Sequence, residues 1–244
     1  MVADLQEKYK DLSKLRLSAG THASPDDGAC PMELVSWIAG EQWSDQPQCA
    51  CPVIATFIRA WNDALHEGTR TALLLPLVPR LVGTRANGEI ELRRALMAAD
   101  WMVRVNAPSW LRLAGLRFEA ESLALFTEIT SLENASAWQP QLEAATSASR
   151  EACEAAWMTE WNTGRDAPRD ATWFDAWETT WAGPHAVCQR FVWHPVWEIA
   201  RETAQNAAGA AFWGPQREGI RLPTPELTQS TIALIDRMIA AKPF

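Results

Sequence analysis

The stretch CACPVIATFIRAWNDAL, from Cys49 to Leu65, predicts an amphipathic α-helix that begins at a Cys-Pro pair. Its large apolar residues recur at intervals of three and four positions, which places them on one face of a helix. They are Ile54, Phe57, Ile58, Trp61 and Leu65. Proline is favoured at the first helical position because its missing N–H would have no partner there. The stretch therefore predicts both a helix and its first residue, Pro52.

The same helical periodicity continues along most of the chain. A second Cys-Pro pair, Cys30–Pro31, stands before another apolar run, and apolar residues keep helical spacing over 92–103 and 227–239. Thr224 and Pro225 are a typical N-cap and first residue for the last of these helices. The predicted fold class is therefore all-α, a multi-helix bundle with a helical repeat region rich in tryptophan and alanine.

Charged residues on the helix that starts near residue 92 are expected to face water, because its apolar stripe faces the core. These residues are Arg93, Arg94, Asp100 and Arg104. Arg104 follows Asp100 by four positions, a spacing typical of an ion pair on a helix surface. The pair explains Asp100 without a catalytic role.

A repeat of sixteen residues occupies the region after residue 150. CEAAWMTEWNTGRDAP, from Cys153, aligns without gaps on RDATWFDAWETTWAGP, from Arg169, and both tryptophans and the closing proline match. Four residues advance a helix by about 400°, so a tryptophan at every fourth position drifts by about 40° per step. We expect prolines to end or kink the helices before that drift becomes large. They are Pro168, Pro184, Pro195 and Pro215.

The tryptophans of this region have two interpretations. An aromatic stripe at helical spacing usually packs in a core. An exposed stripe would instead bind a protein partner or a second copy of the chain, because tryptophan is enriched at binding hot spots. Stacking on single-stranded nucleic acid is not expected, because residues 151–218 hold ten acidic and only five basic residues.

Composition predicts that the chain has three parts. It also predicts a globular protein that does not cross a membrane. The parts are a helical core with the Cys/His cluster over 1–135, the Trp/Ala-rich region over 136–218, and a C-terminal helix over 219–244 that packs back on the core. The charged N-terminus lacks the apolar segment of a signal peptide, and no apolar run is long enough to cross a bilayer. A net charge of −8 opposes binding to nucleic acid or anionic lipid. We expect a cytoplasmic protein.

The two Cys-Pro pairs place a thiol at the N-cap of each helix. Unpaired N–H groups and the helix dipole favour a thiolate at that end. A thiolate can bind metal, and one imidazole with three thiolates makes a closed tetrahedral zinc set. We therefore predict a zinc site, the one cofactor indicated, whose ligands are His22, Cys30, Cys49 and Cys51. The alternative is that these cysteines are small buried residues without a ligand.

A thiolate can also act as a nucleophile. The sequence DGAC, at Asp27–Cys30, resembles the Asp-Gly-x-Cys nucleophile loop of ovarian-tumour-type cysteine proteases over these four residues only. The resemblance implies that Cys30 attacks a carbonyl while the N–H groups of its helix hold the oxyanion. A histidine such as His22 would be the base, although His66, His185 and His194 are equal candidates.

Carboxylates offer a third chemistry, a divalent-metal hydrolase site between helices. Its candidate ligands are Glu33, Glu41, Asp45, Asp63 and Asp100. Glu33 and Glu41 are eight positions apart with Gly40 between them, so they do not share a helical turn. The chain has no Glu-x-x-His, His-Glu-x-x-His, phosphate-binding glycine loop or Gly-x-Ser-x-Gly motif.

Four stretches of the chain resemble a family of uncharacterised bacterial and bacteriophage proteins. They are SPDDGACPMELVSWIAGE, which follows His22 closely, CACPVIATFIRAWND, LLPLVPRLVGTR and AADWMVRV. The resemblance covers most of the chain and implies a shared fold and origin, without a mechanism. From the thiol positions and the tryptophan repeat we predict a non-enzymatic structural or protein-interaction protein. Its partner would be another protein or a second copy, bound through the tryptophan-rich region.

Overall fold

The computed structural model describes residues 15–162, 172–214 and 224–242. Every regular element in these ranges is helical, and they contain no β-strand. The predicted all-α class is therefore confirmed, and the helices pack against one another as a multi-helix bundle. None of the described helices combines the length and the apolarity that crossing a bilayer requires.

The helices up to residue 101 are α1 (Pro31–Ala39), α2 (Pro52–Ala64), α3 (Glu67–Leu74), α4 (Val78–Leu81) and α5 (Gly88–Trp101). Those that follow are α6 (Ala107–Leu113), α7 (Arg117–Ala124), α8 (Leu132–Ala135), α9 (Gln139–Asn162), α10 (Thr172–Phe191), α11 (Pro195–Trp213) and α12 (Pro225–Ala240). Short 3₁₀ turns occupy Leu75–Leu77 and Ser136–Trp138, and a π-helical turn occupies Met102–Asn106.

Contacts divide the chain into two compact units. The first comprises Met1–Arg94 with Ile235–Phe244, and the second comprises Ala95–Leu234, each over its described residues. Helices α5 and α12 therefore contribute one end to each unit. The boundaries at residues 135 and 218 came from composition and stay predictions. The unit boundaries instead follow from which residues contact each other.

The core of the first unit is built on α1 and α2. Both helices begin where the sequence predicts, at Pro31 and Pro52, with Cys30 and Cys51 as N-caps. The predicted apolar stripe of α2 is buried along its whole length: Ile54, Phe57, Ile58, Trp61 and Leu65. The α2 stripe therefore forms the interior of this unit, and its periodicity was sufficient to identify it.

Buried arginines satisfy carbonyl groups at helix ends in the first unit. Arg70 donates from Nε to the carbonyl of Asn62 at 2.8 Å and from Nη2 to that of Leu65 at 2.7 Å, at the end of α2. Arg94 donates from Nε to the carbonyl of Met238, at 2.6 Å, near the end of α12. The last carbonyls of a helix have no partner within it, so a cation there both completes hydrogen bonds and complements the dipole. The prediction that Arg94 faces water is wrong, because it is 4% exposed.

Small residues bring α9 and α11 close together in the second unit. The buried face of α11 carries mainly alanine: Ala200, Ala204, Ala207, Ala208 and Ala211. Gly209 lies against α9 so closely that a Cβ atom on it would stand 2.7 Å from Cys153 Sγ. Thr146 and Thr203 hydrogen-bond across the pair through their Oγ1 atoms, at 2.7 Å. Small side chains let two helix backbones approach, which allows extensive packing between them.

Helix α10 continues through Pro184, so this proline does not end the helix. A proline inside a helix leaves the carbonyl four residues before it without its usual donor. That carbonyl belongs to Thr180, and the side-chain amide of Asn106 donates to it at 3.3 Å. The π-helical turn ends at Asn106. A donor from another element therefore replaces the hydrogen bond that the proline cannot make. Pro168 and Pro215 lie outside the described residues.

The predicted ion pair of Asp100 and Arg104 forms, but it is not on the surface. Arg104 Nε donates to Asp100 Oδ1 at 2.7 Å, and the backbone N–H of Ile129 donates to the same oxygen at 2.9 Å. Asp100 is only 2% exposed. A buried carboxylate needs such partners, because its charge is costly to desolvate alone. Asp100 therefore holds the chain at Ile129.

Six of the fourteen tryptophans are fully buried, but of the eight that follow residue 150 only Trp177 and Trp197 are among them, so the core-packing interpretation holds for these eight only in part. The fully buried ones are Trp61, Trp101, Trp110, Trp138, Trp177 and Trp197. Others are markedly exposed, among them Trp157 at 42%, Trp161 at 70% and Trp193 at 65%. Trp177 is buried whereas Trp161, its equivalent in the repeat, is exposed. The repeat in the sequence therefore does not give its two copies the same environment.

Candidate functional site

The predicted zinc ligands lie in the first unit, at and before the starts of α1 and α2. Cys30 and Cys51 are both buried at N-caps, at 1% and 0% exposure, and Cys49 is partly exposed. The N–H of Cys49 donates to Glu41 Oε1 at 2.8 Å, and the N–H of Cys51 donates to Thr84 Oγ1 at 3.1 Å. The backbone at each cysteine is therefore held by a different neighbour.

The sequence predicts anionic sulfur at the N-caps Cys30 and Cys51, but burial opposes it at Cys30. Burial raises the pKa of Cys30 to about 12, and the nearby Glu33 carboxylate adds to the effect. Burial also raises the pKa of Cys49, with a smaller contribution from Glu41. Desolvation penalises the charged form, and here it outweighs the field of the helix end. Cys30 therefore lacks the ready thiolate that a nucleophile at this position would need.

The four predicted ligands do not gather into a metal centre. In the described parts of the chain, no group of three or more His, Cys, Asp or Glu side chains is arranged to hold a metal ion. His22 has a hydrogen-bond partner at each ring nitrogen, Glu33 at Nδ1 and Ser18 at Nε2. A zinc ligand must offer one ring nitrogen to the metal. The residues as placed therefore do not fit a zinc set that includes His22.

What the structure does gather is a hydrogen-bonded group around Glu33, in the first turn of α1. Glu33 is 1% exposed and accepts from the N–H of His22 at 2.6 Å, from His22 Nδ1 at 2.9 Å and from the N–H of Cys30 at 2.7 Å. The last bond is the capping box that the spacing of Cys30 and Glu33 predicts. A buried carboxylate with three donors is a rigid acceptor. Glu33 therefore fixes the position and orientation of the imidazole.

Ser18 completes this group on the other side of the imidazole. Its Oγ lies 2.9 Å from His22 Nε2, and the same Oγ accepts from the N–H of Ala29 at 3.2 Å. The N–H of Ser18 donates to the carbonyl of Ala29 at 2.9 Å. We call Ser18, His22 and Glu33 the Ser-His-Glu group. Its members come from the segment before α1 and from α1 itself.

The segment that carries Ser18 and His22 is held to α2 and α3 by side-chain hydrogen bonds. Asn62 Nδ2 donates to the carbonyl of Ser18 at 2.9 Å, and the N–H of Gly20 donates to Asp63 Oδ1 at 2.8 Å. The N–H of Leu17 donates to Thr71 Oγ1 at 2.9 Å. The position of the segment is therefore defined by the helices that it crosses, even though it has no secondary structure of its own.

The carboxylates proposed for a divalent-metal site each serve a separate neighbour. Glu41 accepts from the N–H groups of Gln48 and Cys49, Asp63 accepts from the N–H of Gly20, and Asp45 pairs with Arg59 at 3.6 Å. Glu33 belongs to the Ser-His-Glu group and Asp100 to its own ion pair. Capping and ion pairing account for all five, and the divalent-metal hydrolase stays an untested prediction.

A second candidate site lies in the second unit, where nine rings form what we call the aromatic row. Successive ring centroids are 4.3–6.1 Å apart, within the range of favourable aromatic pairs. In spatial order the rings belong to Trp161, Trp157, Trp213, Phe212, Trp173, Phe174, Trp177, Trp181 and His185. The sequence identified the tryptophans but not their order, because the row passes from α9 through α11 to α10, which is not the order of these helices in the chain.

The two ends of the aromatic row differ in exposure. At the inner end, His185 is 8% exposed and hydrogen-bonds Glu198 through Nε2 at 2.8 Å. Burial lowers the pKa of His185, although the neighbouring Glu198 carboxylate acts in the opposite direction. At the outer end, Trp157, Met158 and Trp161 are 42%, 53% and 70% exposed. We call these three residues the aromatic surface.

Comparison with protein-family models, with curated proteins and with solved structures found no match to this chain. The two candidate sites therefore depend on their own geometry. The first unit offers a buried hydrogen-bonded group, and the second offers an exposed apolar surface.

Proposed function

We propose that the chain is a protein-interaction protein and that the aromatic surface of α9 is its binding site. The observation that carries the proposal is the exposure of Trp157, Met158 and Trp161 on one short stretch of helix. Tryptophan dominates binding energy at protein interfaces, and methionine adapts to varied partners. The ring of Trp157 also packs edge-to-face against the ring of Trp213, with the centroids 5.0 Å apart. A supported ring loses little entropy on binding, which favours its use as an anchor.

Charge around the aromatic surface favours a basic partner over a second copy of the chain. Glu151 and Glu154 are exposed on α9, and residues 151–162, which carry the aromatic surface, contain no lysine or arginine. Two such surfaces facing each other would bring like charges together, which opposes association. Lysine and arginine of a partner would instead meet carboxylates and the faces of the tryptophan rings. We therefore infer that the partner presents an apolar segment flanked by basic residues.

Selection from a random peptide library displayed on phage tests this proposal. The wild-type chain is the bait. The library is first depleted on the double variant Trp157→Ser/Trp161→Ser, which removes peptides that bind outside the aromatic surface. We expect the retained peptides to carry net positive charge and spaced apolar residues. Synthetic versions should bind the double variant at least about 30-fold more weakly, because one hot-spot tryptophan contributes about 2 kcal/mol or more.

Trp193→Ser is the matched control, because Trp193 is also exposed, at 65%, but is not part of the aromatic row. This variant should bind the selected peptides as wild type does. Retained peptides that are neutral or acidic would contradict the charge argument. Sedimentation equilibrium is the second measurement. A dimer that dissociates in the double variant but not in Trp193→Ser would show that the surface joins two copies instead.

Zinc stays a separate prediction for His22, Cys30, Cys49 and Cys51, and metal analysis decides it. If the site exists, protein purified without added metal should contain about one equivalent, and a chelator should lower its melting temperature, because binding energy at a structural site contributes to folding. Less than a tenth of an equivalent of zinc, with a melting temperature unchanged by the chelator, would contradict the zinc prediction. The hydrogen bonds at both ring nitrogens of His22 lead us to expect this second result.

A further inference from the structure

The Ser-His-Glu group has the hydrogen-bond order of a nucleophile, its base and the residue that orients the base. Ser18 Oγ lies 2.9 Å from His22 Nε2, and His22 Nδ1 lies 2.9 Å from Glu33 Oε2. Serine activation requires this order, with the hydroxyl and the carboxylate on opposite nitrogens of one imidazole. The order is a matter of roles and distances and is independent of the fold that presents it.

The positions of the protons follow from the donors around the group. Glu33 Oε2 already accepts from the N–H of Cys30, and a carboxylate only accepts, so His22 Nδ1 carries the proton that it shares with Glu33. In the neutral imidazole Nε2 then has a lone pair directed at Ser18. Ser18 Oγ accepts from the N–H of Ala29, which leaves its own hydrogen for Nε2. Every hydrogen bond in the group is therefore satisfied when the Ser18 hydroxyl donates its hydrogen to His22 Nε2.

Accessibility also distinguishes Ser18 from the cysteine next to the same group. Ser18 is partly exposed and the His22 side chain is 10% exposed, whereas Cys30 is 1% exposed. The buried Glu33 is 1% exposed, as expected of a group that orients the base without contacting substrate. Ser18 and His22 are thus both partly exposed, whereas Glu33 is buried behind them.

We propose that Ser18 is a nucleophile for acyl esters, with His22 as general base and Glu33 as the positioning residue. As Ser18 Oγ bonds to the acyl carbon, its proton passes to His22 Nε2. The bond from that carbon to the alcohol oxygen breaks, and the departing alcohol takes the proton from Nε2. Water then attacks the acyl-serine in the same way, which releases the acid and restores the Ser18 hydroxyl. The net reaction is ester plus water to acid plus alcohol.

This activity is independent of the aromatic surface, which belongs to the other unit. It also makes a different demand on His22 from the zinc prediction, because the base needs Nε2 free of metal. A group that merely holds the segment before α1 in place would have the same hydrogen bonds. Reaction with an electrophile distinguishes a nucleophile from such a structural group.

The test is covalent labelling of the full chain with an alkyl fluorophosphonate. Ser18 Oγ would bond to phosphorus and fluoride would leave with the proton, so the adduct adds the mass of the probe less HF. We expect the adduct on the peptide that contains Ser18, located by mass spectrometry on wild-type protein. Ser18→Ala should lose the adduct, and His22→Gln should slow labelling at least tenfold, with folding checked by circular dichroism.

Ser24→Ala is the matched control, because Ser24 lies in the same segment and its hydroxyl donates to Asp27 Oδ2 instead of a histidine. It should label at the wild-type rate. The rate of p-nitrophenyl acetate hydrolysis should likewise be unchanged in Ser24→Ala, lowered in His22→Gln and lost in Ser18→Ala. Absence of an adduct on wild-type protein, or an adduct on another residue that persists in Ser18→Ala, would overturn the proposal and leave the group a structural one. The labelled residue is identified by mass spectrometry on wild-type protein, so this result does not require any variant to fold.

Discussion

Replacing Arg94 with methionine is expected to lower the free energy of unfolding by about 2–5 kcal/mol. Arg94 is 4% exposed and donates to the carbonyls of Met238, at 2.6 Å, and Thr84, at 2.7 Å. Methionine fills similar space but cannot donate, so the carbonyl of Thr84 loses the Arg94 donor and that of Met238 keeps only the N–H of Ala241, at 3.3 Å. Each buried hydrogen bond lost in this way costs about 1–3 kcal/mol. The two carbonyls belong to the end of α12 and to the turn before α5. Chemical denaturation of the variant, followed by circular dichroism, measures the loss.

The adjacent Arg93→Met is the control for this prediction. Arg93 donates to the carbonyl of Lys242 at 2.7 Å, but at an exposed position where water can replace the arginine. We expect this variant to lose no more than about 1 kcal/mol, as is usual for exposed polar contacts. Equal losses in the two variants would mean that burial of the Arg94 hydrogen bonds does not stabilise the unit. The melting of Arg94→Met should also begin with the C-terminal end of α12.

The secondary structure was predictable because its signals are local. Proline at the first helical position fixes the starts of α1 and α2, and three-four spacing of apolar residues identifies the buried face of α2. The same rule failed for Arg94 and Asp100, which it places in water. Arg94 meets a carbonyl 144 positions away, and Asp100 meets an N–H 29 positions away. Partners this distant leave no trace in a local pattern.

The continuation of α10 through Pro184 also depends on a distant partner. The cost of a proline within a helix is a local rule, but its compensation is the amide of Asn106, on another element 74 positions before Thr180. Sequence reasoning could state the cost and had no means of finding the compensation. Asn106 stands between Val105 and Ala107, and no local pattern links it to Thr180.

The candidate site was predicted in its position but not in its chemistry. His22, Cys30 and Glu33 were all identified near the start of α1, as candidate metal ligands. The helix-end field was expected to create thiolates, but desolvation of a thiol at 1% exposure is the larger effect, and burial cannot be measured from a motif. Ser18 was missed because a serine four positions before a histidine is a common pattern. Only the folded segment shows that the two side chains meet.

Replacing Gly28 with alanine is expected to destabilise the chain by about 2–4 kcal/mol and to displace the Ser-His-Glu group. Gly28 has a φ of +132°, where a side chain strains the backbone. A Cβ there would stand 2.6 Å from both Ser18 Oγ and His22 Cδ2. Overpacking costs about 1–3 kcal/mol where neighbours cannot move, and these two side chains are fixed by hydrogen bonds to Ala29 and Glu33. Thermal and chemical denaturation measure the effect.

Gly20→Ala separates the two causes, because Gly20 lies in the same segment with a φ of +83° but has no atom within 4 Å of an added Cβ. It should cost only the backbone strain, about 1 kcal/mol. The excess loss in Gly28→Ala then measures how closely the glycine backbone packs against Ser18 and His22. If the two variants lose the same stability, that contact is not tight. The fluorophosphonate adduct should be much reduced in Gly28→Ala and retained in Gly20→Ala, because a nucleophile depends on the distance between Ser18 Oγ and its base.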